Sequence, residues 1–302
     1  MVRNSVRLFV FHDERLIQRW LYHGFVFCKA EQSSSLQNEL FSAKNEAFCS
    51  HNKRIHFSEL RSGSTGSSRT KTAVKWAGLF EKKLYEHIWF YLFGVNMTNI
   101  DYQFFGPSTD GQNRDFRIYN RFFEIGLFSA CRYFFDVSTE KVEILKIFSE
   151  ERSLEADNPF LTYAPHKINK RESNVIVKCK EIIQVASELS REKEHPECVN
   201  VVNFVDVITG AFSQAIDYTT NKRGCIEVAE KLFGVCRRLS ENPYNKNSQY
   251  YKRNAMSFFP KTLHSKSQII SYGIKPPEDQ FYPSRTLRLH QKCFPEFEEL
   301  IS

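Results

Sequence analysis

Acidic residues recur where apolar runs stop. Asp13 and Glu14 follow the run 6–11, Glu59 follows 54–57, Glu150 and Glu151 follow 142–148, and Asp206 follows 199–203. Carboxylates brought from several elements to one sheet edge have a defined chemical use. Hard divalent cations such as Mg²⁺ or Mn²⁺ take oxygen ligands. Two such ions about 4 Å apart can hold the attacking and leaving oxygens of a phosphodiester in line. Without a cation the same carboxylates repel and raise one another's pKa values, so an edge carrying four of them is a poor device for stability alone. Each acid also has a plainer reading. Asp13–Glu14 suits a solvated surface pair, Glu150–Glu151 a charged face, and Glu59 and Asp206 helix starts favoured by the dipole. The conjunction, not any single residue, carries the signal.

The elements that would position these acids can be read from periodicity. Stretches 6–11 and 20–28 are predicted strands, and 54–57 is a short third one. Ser33–Ser35 offers an N-cap to a helix spaced by Leu36, Leu40, Ala43 and Ala47. Residues 62–69 are a flexible Ser/Gly loop, suited either to closing over a substrate or to linking. A helix over 70–86 precedes an aromatic strand over 88–95, and 106–114 is a loop. A helix over 116–134 and a strand over 142–148 follow, and 153–174 is irregular. Strands over 181–187 and 198–202 and helices over 205–218 and 226–239 complete the pattern. This order suits an α/β fold, a mixed sheet with helices on its faces. Strand alternation lets only one of Glu150 and Glu151 face the site.

Composition narrows the class. The 302 residues are 41% hydrophobic and 15% aromatic, enough to build a sizeable core. The longest charge-free apolar stretch, 88–100, is too short and too polar for a bilayer span, and the N-terminus lacks a secretory pattern. Eight cysteines form no CxxC pair. Cys49, His51 and His56 have no second ligand pair for zinc, so reduced thiols and a cytoplasmic location are expected. A Ser or Cys nucleophile is disfavoured by the lack of a GxSxG elbow. Net charge is +7, and residues 222–302 carry 14 Lys and Arg against 8 Asp and Glu. The chain therefore reads as a core over 1–240 and a basic, aromatic C-terminal arm or small appended domain over 241–302. In that arm Lys246, Tyr250, Tyr251, Lys252, Arg253 and Lys261 interleave rings that can stack on bases with cations that can neutralise phosphates. Phe258 and Phe259 suit a second role, docking the arm onto the core.

These motifs resemble domain of unknown function 3800, an uncharacterised family with an RNase H-like fold. Asp13-Glu14 in FVFHDER fits the family's Asp-Glu dipeptide. Asn203-Phe204-Val205-Asp206 fits its Gln-x-x-Asp motif with Asn for Gln, and RIHFSELR with Glu59 is similar to its His-x-x-Glu-Leu segment. The resemblance covers residues 5–220. It implies an RNase H-like mixed sheet and a metal-dependent nuclease acting on RNA or DNA with Mg²⁺ or Mn²⁺. It further implies that Asp13 bridges two metals, that Glu59 and Glu150 each hold one, with Glu151 the rival of Glu150, and that Asp206 holds the second. Glu14 would orient a neighbour such as Arg61, and His12 or His56 would shuttle protons. Asn203 and the absence of Ser-Gly after Asp13-Glu14 favour the alternative, an inactive RNase H-like module that binds nucleic acid or a partner protein. A partner subunit or homo-oligomer would use the aromatic arm, no membrane is involved, and defence against foreign nucleic acid such as a virus is the expected setting.

Overall fold

The computed structural model describes residues 5–82, 84, 87–107, 109, 111–151, 160–171, 174–217, 219–241 and 252–259. The chain opens with an antiparallel hairpin, β1 (Ser5–Ile17) and β2 (Trp20–Lys29). Gln18, at its turn, has a left-handed φ of 51°. The sequence predicts that the first strand stops at Phe11. It runs on through His12-Asp13-Glu14-Arg15 because these residues keep the period of two and find antiparallel partners, Asp13 opposite Gly24 among them.

After the hairpin come α1 (Ser33–Glu46), α2 (Ser68–Lys82), β3 (Ile88–Asn96), α3 (Gly111–Phe134), β4 (Lys141–Glu150) and α4 (Phe160–Arg171). Next are β5 (Val175–Val177), β6 (Ile183–Val185), α5 (Val199–Asp217), α6 (Arg223–Glu241) and β7 (Asn254–Phe259). The fold is α/β. Seven strands form one mixed sheet in the order β5-β4-β1-β2-β3-β7, with β6 also paired to β4. β2 runs antiparallel to both β1 and β3, whereas β4 runs parallel to β1, and β5 and β6 run parallel to β4. One face packs against α1, α2, α5 and α6, and the other against α3 and α4. β3 is buried along all its residues, as expected of a strand covered on both sides.

Several expectations are corrected. Residues 54–57 form no strand: His56 is extended, Phe57 already opens a 3-10 turn, Phe57–Glu59, and its N–H donates to Asp206 instead of to a neighbouring strand. Residues 198–202 form no strand: Cys198 ends a 3-10 turn and 199–202 open α5, whose residues are buried on nearly every side, so its apolar run shows no helical period. Part of 153–174 is helical. Pro165 lies inside α4, and the Leu161 carbonyl that it leaves without a helical donor accepts from the Ile182 N–H at 2.7 Å. α1 starts without a serine cap, after a 3-10 turn, and α3 starts at Gly111. Residues 62–69, expected to be flexible, are tied down: the Ser64 N–H donates to Glu227 of α6, and Thr70 Oγ1 donates to the Ser62 carbonyl.

The helix Pro196–Asp217 is long and apolar enough to cross a membrane, but 94% of its apolar window is buried inside the protein, as in a core helix. In the segment expected to be appended, 254–259 form β7, an edge strand parallel to β3. Phe258 packs edge-on to Trp20, Phe259 packs on Phe122, and the Arg253 guanidinium lies 3.9 Å from the centre of Trp89. Arg253 is thus spent on the fold. Lys252 is exposed. Lys246, Tyr250, Tyr251 and Lys261 lie outside the described residues.

One polar side chain in the core anchors the segment leading to the site. Lys44 is fully buried, and its Nζ donates to the His51 and Lys53 carbonyls and to Asn200 Oδ1 of α5. Lys44→Met keeps the stem but strands three acceptors. It should cost about 2–3 kcal/mol in urea unfolding, and an unchanged midpoint would contradict this anchoring role.

Candidate active site

The in-register pairing of β1 with β4 sets the site. Phe11 lies opposite Phe148 and stacks on it, with ring centroids 5.1 Å apart, and His12 lies opposite Ser149. The next residues, Asp13 and Glu150, therefore come side by side on the α5 face. Their carboxyls lie close enough for Glu150 to act on Asp13. Burial pushes the Asp13 carboxyl well above its usual value, and the nearby charges of Asp206, Glu14 and Glu150 push it the same way. Strand alternation sends Glu151 outward, where it pairs with Arg191 at 2.8 Å.

Asp206 arrives from α5. It sits two turns inside the helix, not at its start, so the dipole does not account for it. Its Oδ2 accepts the Phe57 N–H at 2.6 Å, and its Oδ1 lies 3.5 Å from His56 Nε2. Two glycines allow this approach. A Cβ at Gly24, opposite Asp13, would overlap Thr209 Oγ1, and a Cβ at Gly210 would run into the Phe57 ring. Asn203, one turn before Asp206, donates from Nδ2 to the Ser187 carbonyl and tethers α5 to the end of β6.

The remaining candidates divide. Glu59 stands one guanidinium away from the trio: Arg54 reaches Glu150 at 2.6 Å and Glu59 at 3.8 Å, and Arg69 holds the other Glu59 oxygen at 3.1 Å. Glu59 is displaced because 54–57 is not a sheet strand. His56 is at the site, part exposed, with Nδ1 2.7 Å from Ser58 Oγ. His12 is not: it is fully buried on the α3 face between Ser149 and His23. Glu14 shares that face and accepts from the Tyr119 hydroxyl at 2.7 Å, so it does not orient Arg61, which is exposed across the sheet.

Two cations escaped the sequence reading. Arg15 lies on the Asp13 face, its guanidinium 4.8 Å from the Phe57 ring centre and its buried Nε without a hydrogen-bond partner. Burial lowers its pKa, while Asp206, Cys225 and Asp13 pull the other way. The alternation Phe11, Asp13, Arg15 was the available signal for it. Arg54 was signalled by its place in RIHF, two residues before His56. Cysteine chemistry is unsupported: burial pushes the Cys131 and Cys236 thiols up to about 12, and Cys225, beside the Phe57 carbonyl, up to about 11.

Among the described residues, no three His, Cys, Asp or Glu side chains stand ready-made in metal-ligand geometry. Glu150 is instead paired with Arg54, and Asp206 accepts the Phe57 N–H. No family model, curated protein or solved structure matches this chain.

Proposed function

We propose that this protein is a metal-dependent phosphodiesterase of RNA or DNA, with an RNase H-like core of the kind found in domain of unknown function 3800. The observation that carries the reading is the convergence of Asp13, Glu150 and Asp206 from β1, β4 and α5 on one face, with Asp13 buried among like charges. The strand order β3-β2-β1-β4-β5, with β2 alone antiparallel to its sheet neighbours, supports the RNase H-like reading.

The donor set suits a hard cation. It is all carboxylate oxygen, and Asp13 is buried among the like charges of Asp206, Glu14 and Glu150, which is where positive charge is lacking. Asp13, Glu150 and Asp206 would hold Mg²⁺ or Mn²⁺, which supplies an activated water and charge stabilisation at the phosphate. Glu59 would join once Arg54 swings away. His56, part exposed beside Asp206, is placed to take or return a proton at Nε2. Arg15 keeps positive charge beside the carboxylates, and its flat guanidinium is suited to a phosphate oxygen.

The test is cleavage of labelled single- and double-stranded RNA and DNA with Mg²⁺, Mn²⁺ or EDTA, beside Asp206→Asn. Cutting that needs metal and is lost in the variant is expected. A metal that binds only the folded form also raises the unfolding midpoint, so Mn²⁺ should stabilise the wild type against heat and leave Asp206→Asn unmoved. No cleavage and no thermal shift would overturn the proposal. One observation favours the alternative of a non-cutting binding module: Arg54 already neutralises Glu150 at 2.6 Å. Nucleic-acid binding indifferent to EDTA, without cutting, would establish it.

A further inference from the structure

Phe48 is placed at odds with the economy of the fold. It is the most exposed large hydrophobic side chain among the described residues, 85% accessible, and its backbone is left-handed, with φ 53°. Bulky residues are strained in that region, and such strain gathers at functional sites. Burial does not compensate here. The Lys71 ammonium of α2 lies 5.4 Å from the ring centre. Nearby in the chain, Phe41 of α1 lies flat on the imidazole of His51, beyond the helix end, centroids 4.6 Å apart and planes 9° apart.

This surface is joined to the carboxylates. Arg54 follows Phe48 by six positions, at most about 20 Å of extended chain, and Arg54 touches Glu150. The three hydrogen bonds of Lys44 hold 51 and 53 in place, so the rings are presented by the core. Lys53 is exposed between them, and Arg69 lies at the Glu59 rim.

We propose that Phe48, with the Phe41–His51 stack, is a base-stacking platform that holds an unpaired nucleic-acid strand leading to the carboxylate face. The substrate class rests on the nuclease reading. Cations flanking flat rings match a strand whose phosphates carry charge and whose bases offer π-faces. A duplex keeps those faces stacked on one another and offers this surface little. Single strands are therefore the preferred ligand.

Fluorescence anisotropy with a short labelled oligothymidylate or oligouridylate, against a duplex of equal length, tests this in EDTA, where turnover cannot intervene. The wild type should prefer the single strand. Phe48→Ala and Phe48→Leu should each weaken binding about tenfold, and Phe48→Trp should retain it. Phe48→Gly, which suits the left-handed backbone, should also lose binding yet unfold no earlier than the wild type, an outcome that a structural role for the ring would not give. Wild-type affinity in Phe48→Ala, binding retained by Phe48→Leu as for a merely apolar protein-docking surface, or no strand binding at all would each overturn the platform. The two proposals fail separately: strand binding without cleavage sinks only the nuclease, and metal-dependent cleavage with an indifferent Phe48 sinks only the platform.

Discussion

Asp13→Asn is expected to lose metal-dependent cleavage by at least about a thousandfold, the equivalent of about 4 kcal/mol of barrier, while making the fold more stable. The two effects share one cause. Asp13 is 3% exposed, faces Asp206 and Glu150, and has its pKa raised by burial first and by those charges next. A carboxyl whose folded pKa lies above its unfolded value contributes most below the unfolded value, near 3.9. That contribution is lost as pH rises through the folded value. Neutral pH is therefore where the wild type carries the penalty and where the isosteric amide removes it. The variant's advantage in unfolding midpoint should be largest near neutrality and should narrow as pH falls toward about 3.9. Mn²⁺ should reverse the order by stabilising only the wild type. Thermal unfolding against pH, with and without Mn²⁺, measures all of this. A variant less stable than wild type at pH 7 in EDTA would show that Asp13 is structural.

Much of this site was legible in the sequence, for a reason that also explains what was not. Asp13 and Glu150 could be placed at strand ends because a strand's period of two is a local rule carried by apolar residues, whereas the parallel pairing of β1 with β4 that sets them side by side is a tertiary fact. Glu150 could be preferred over Glu151 by alternation only once β4 was known to continue to residue 150. The ends of β1 and β4 were read too early because polar residues inside the sheet resemble strand termini. Asp206 was found by motif but lodged at the wrong point of its element, since a helix buried all round shows no period. Glu59 and His12 required knowledge of which face they occupy. The 3-10 turn at Phe57–Glu59 and the His12–Ser149 contact are tertiary facts. Arg15 and Arg54 stand out among 42 Lys and Arg only through their neighbours, Arg15 by its alternation with Phe11 and Asp13 and Arg54 by its place in RIHF.

Gly210→Ala should destabilise the protein by about 3 kcal/mol, although propensity argues the reverse. Alanine is favoured over glycine inside a helix by about 1 kcal/mol, and Gly210 lies within α5. Sterics decide against it. An added Cβ would overlap Phe57 Cγ and lie 2.5 Å from Cδ1 and 2.6 Å from Cβ. The Cβ contact cannot be relieved by rotating the ring, so the backbone of Phe57 must move. Overpacking of this kind costs about 1–3 kcal/mol or more. Moving Phe57 also disturbs the 2.6 Å bond from its N–H to Asp206, worth about 1.5–3 kcal/mol for a charged acceptor. Gly24→Ala should cost less, because its worst overlap is with the Thr209 hydroxyl, which can turn aside. Urea unfolding gives the numbers, and a double-mutant cycle assigns them: in a Phe57→Gly background, which removes the Cβ along with the ring, the Gly210→Ala penalty should shrink to near zero. Cleavage should fall as well at temperatures where the variant is still folded, because Phe57 both anchors Asp206 and carries the Arg15 guanidinium over its ring. Wild-type stability in Gly210→Ala would mean that α5 does not approach the 3-10 turn this closely, and the placement of Asp206 beside Asp13 would fall with it.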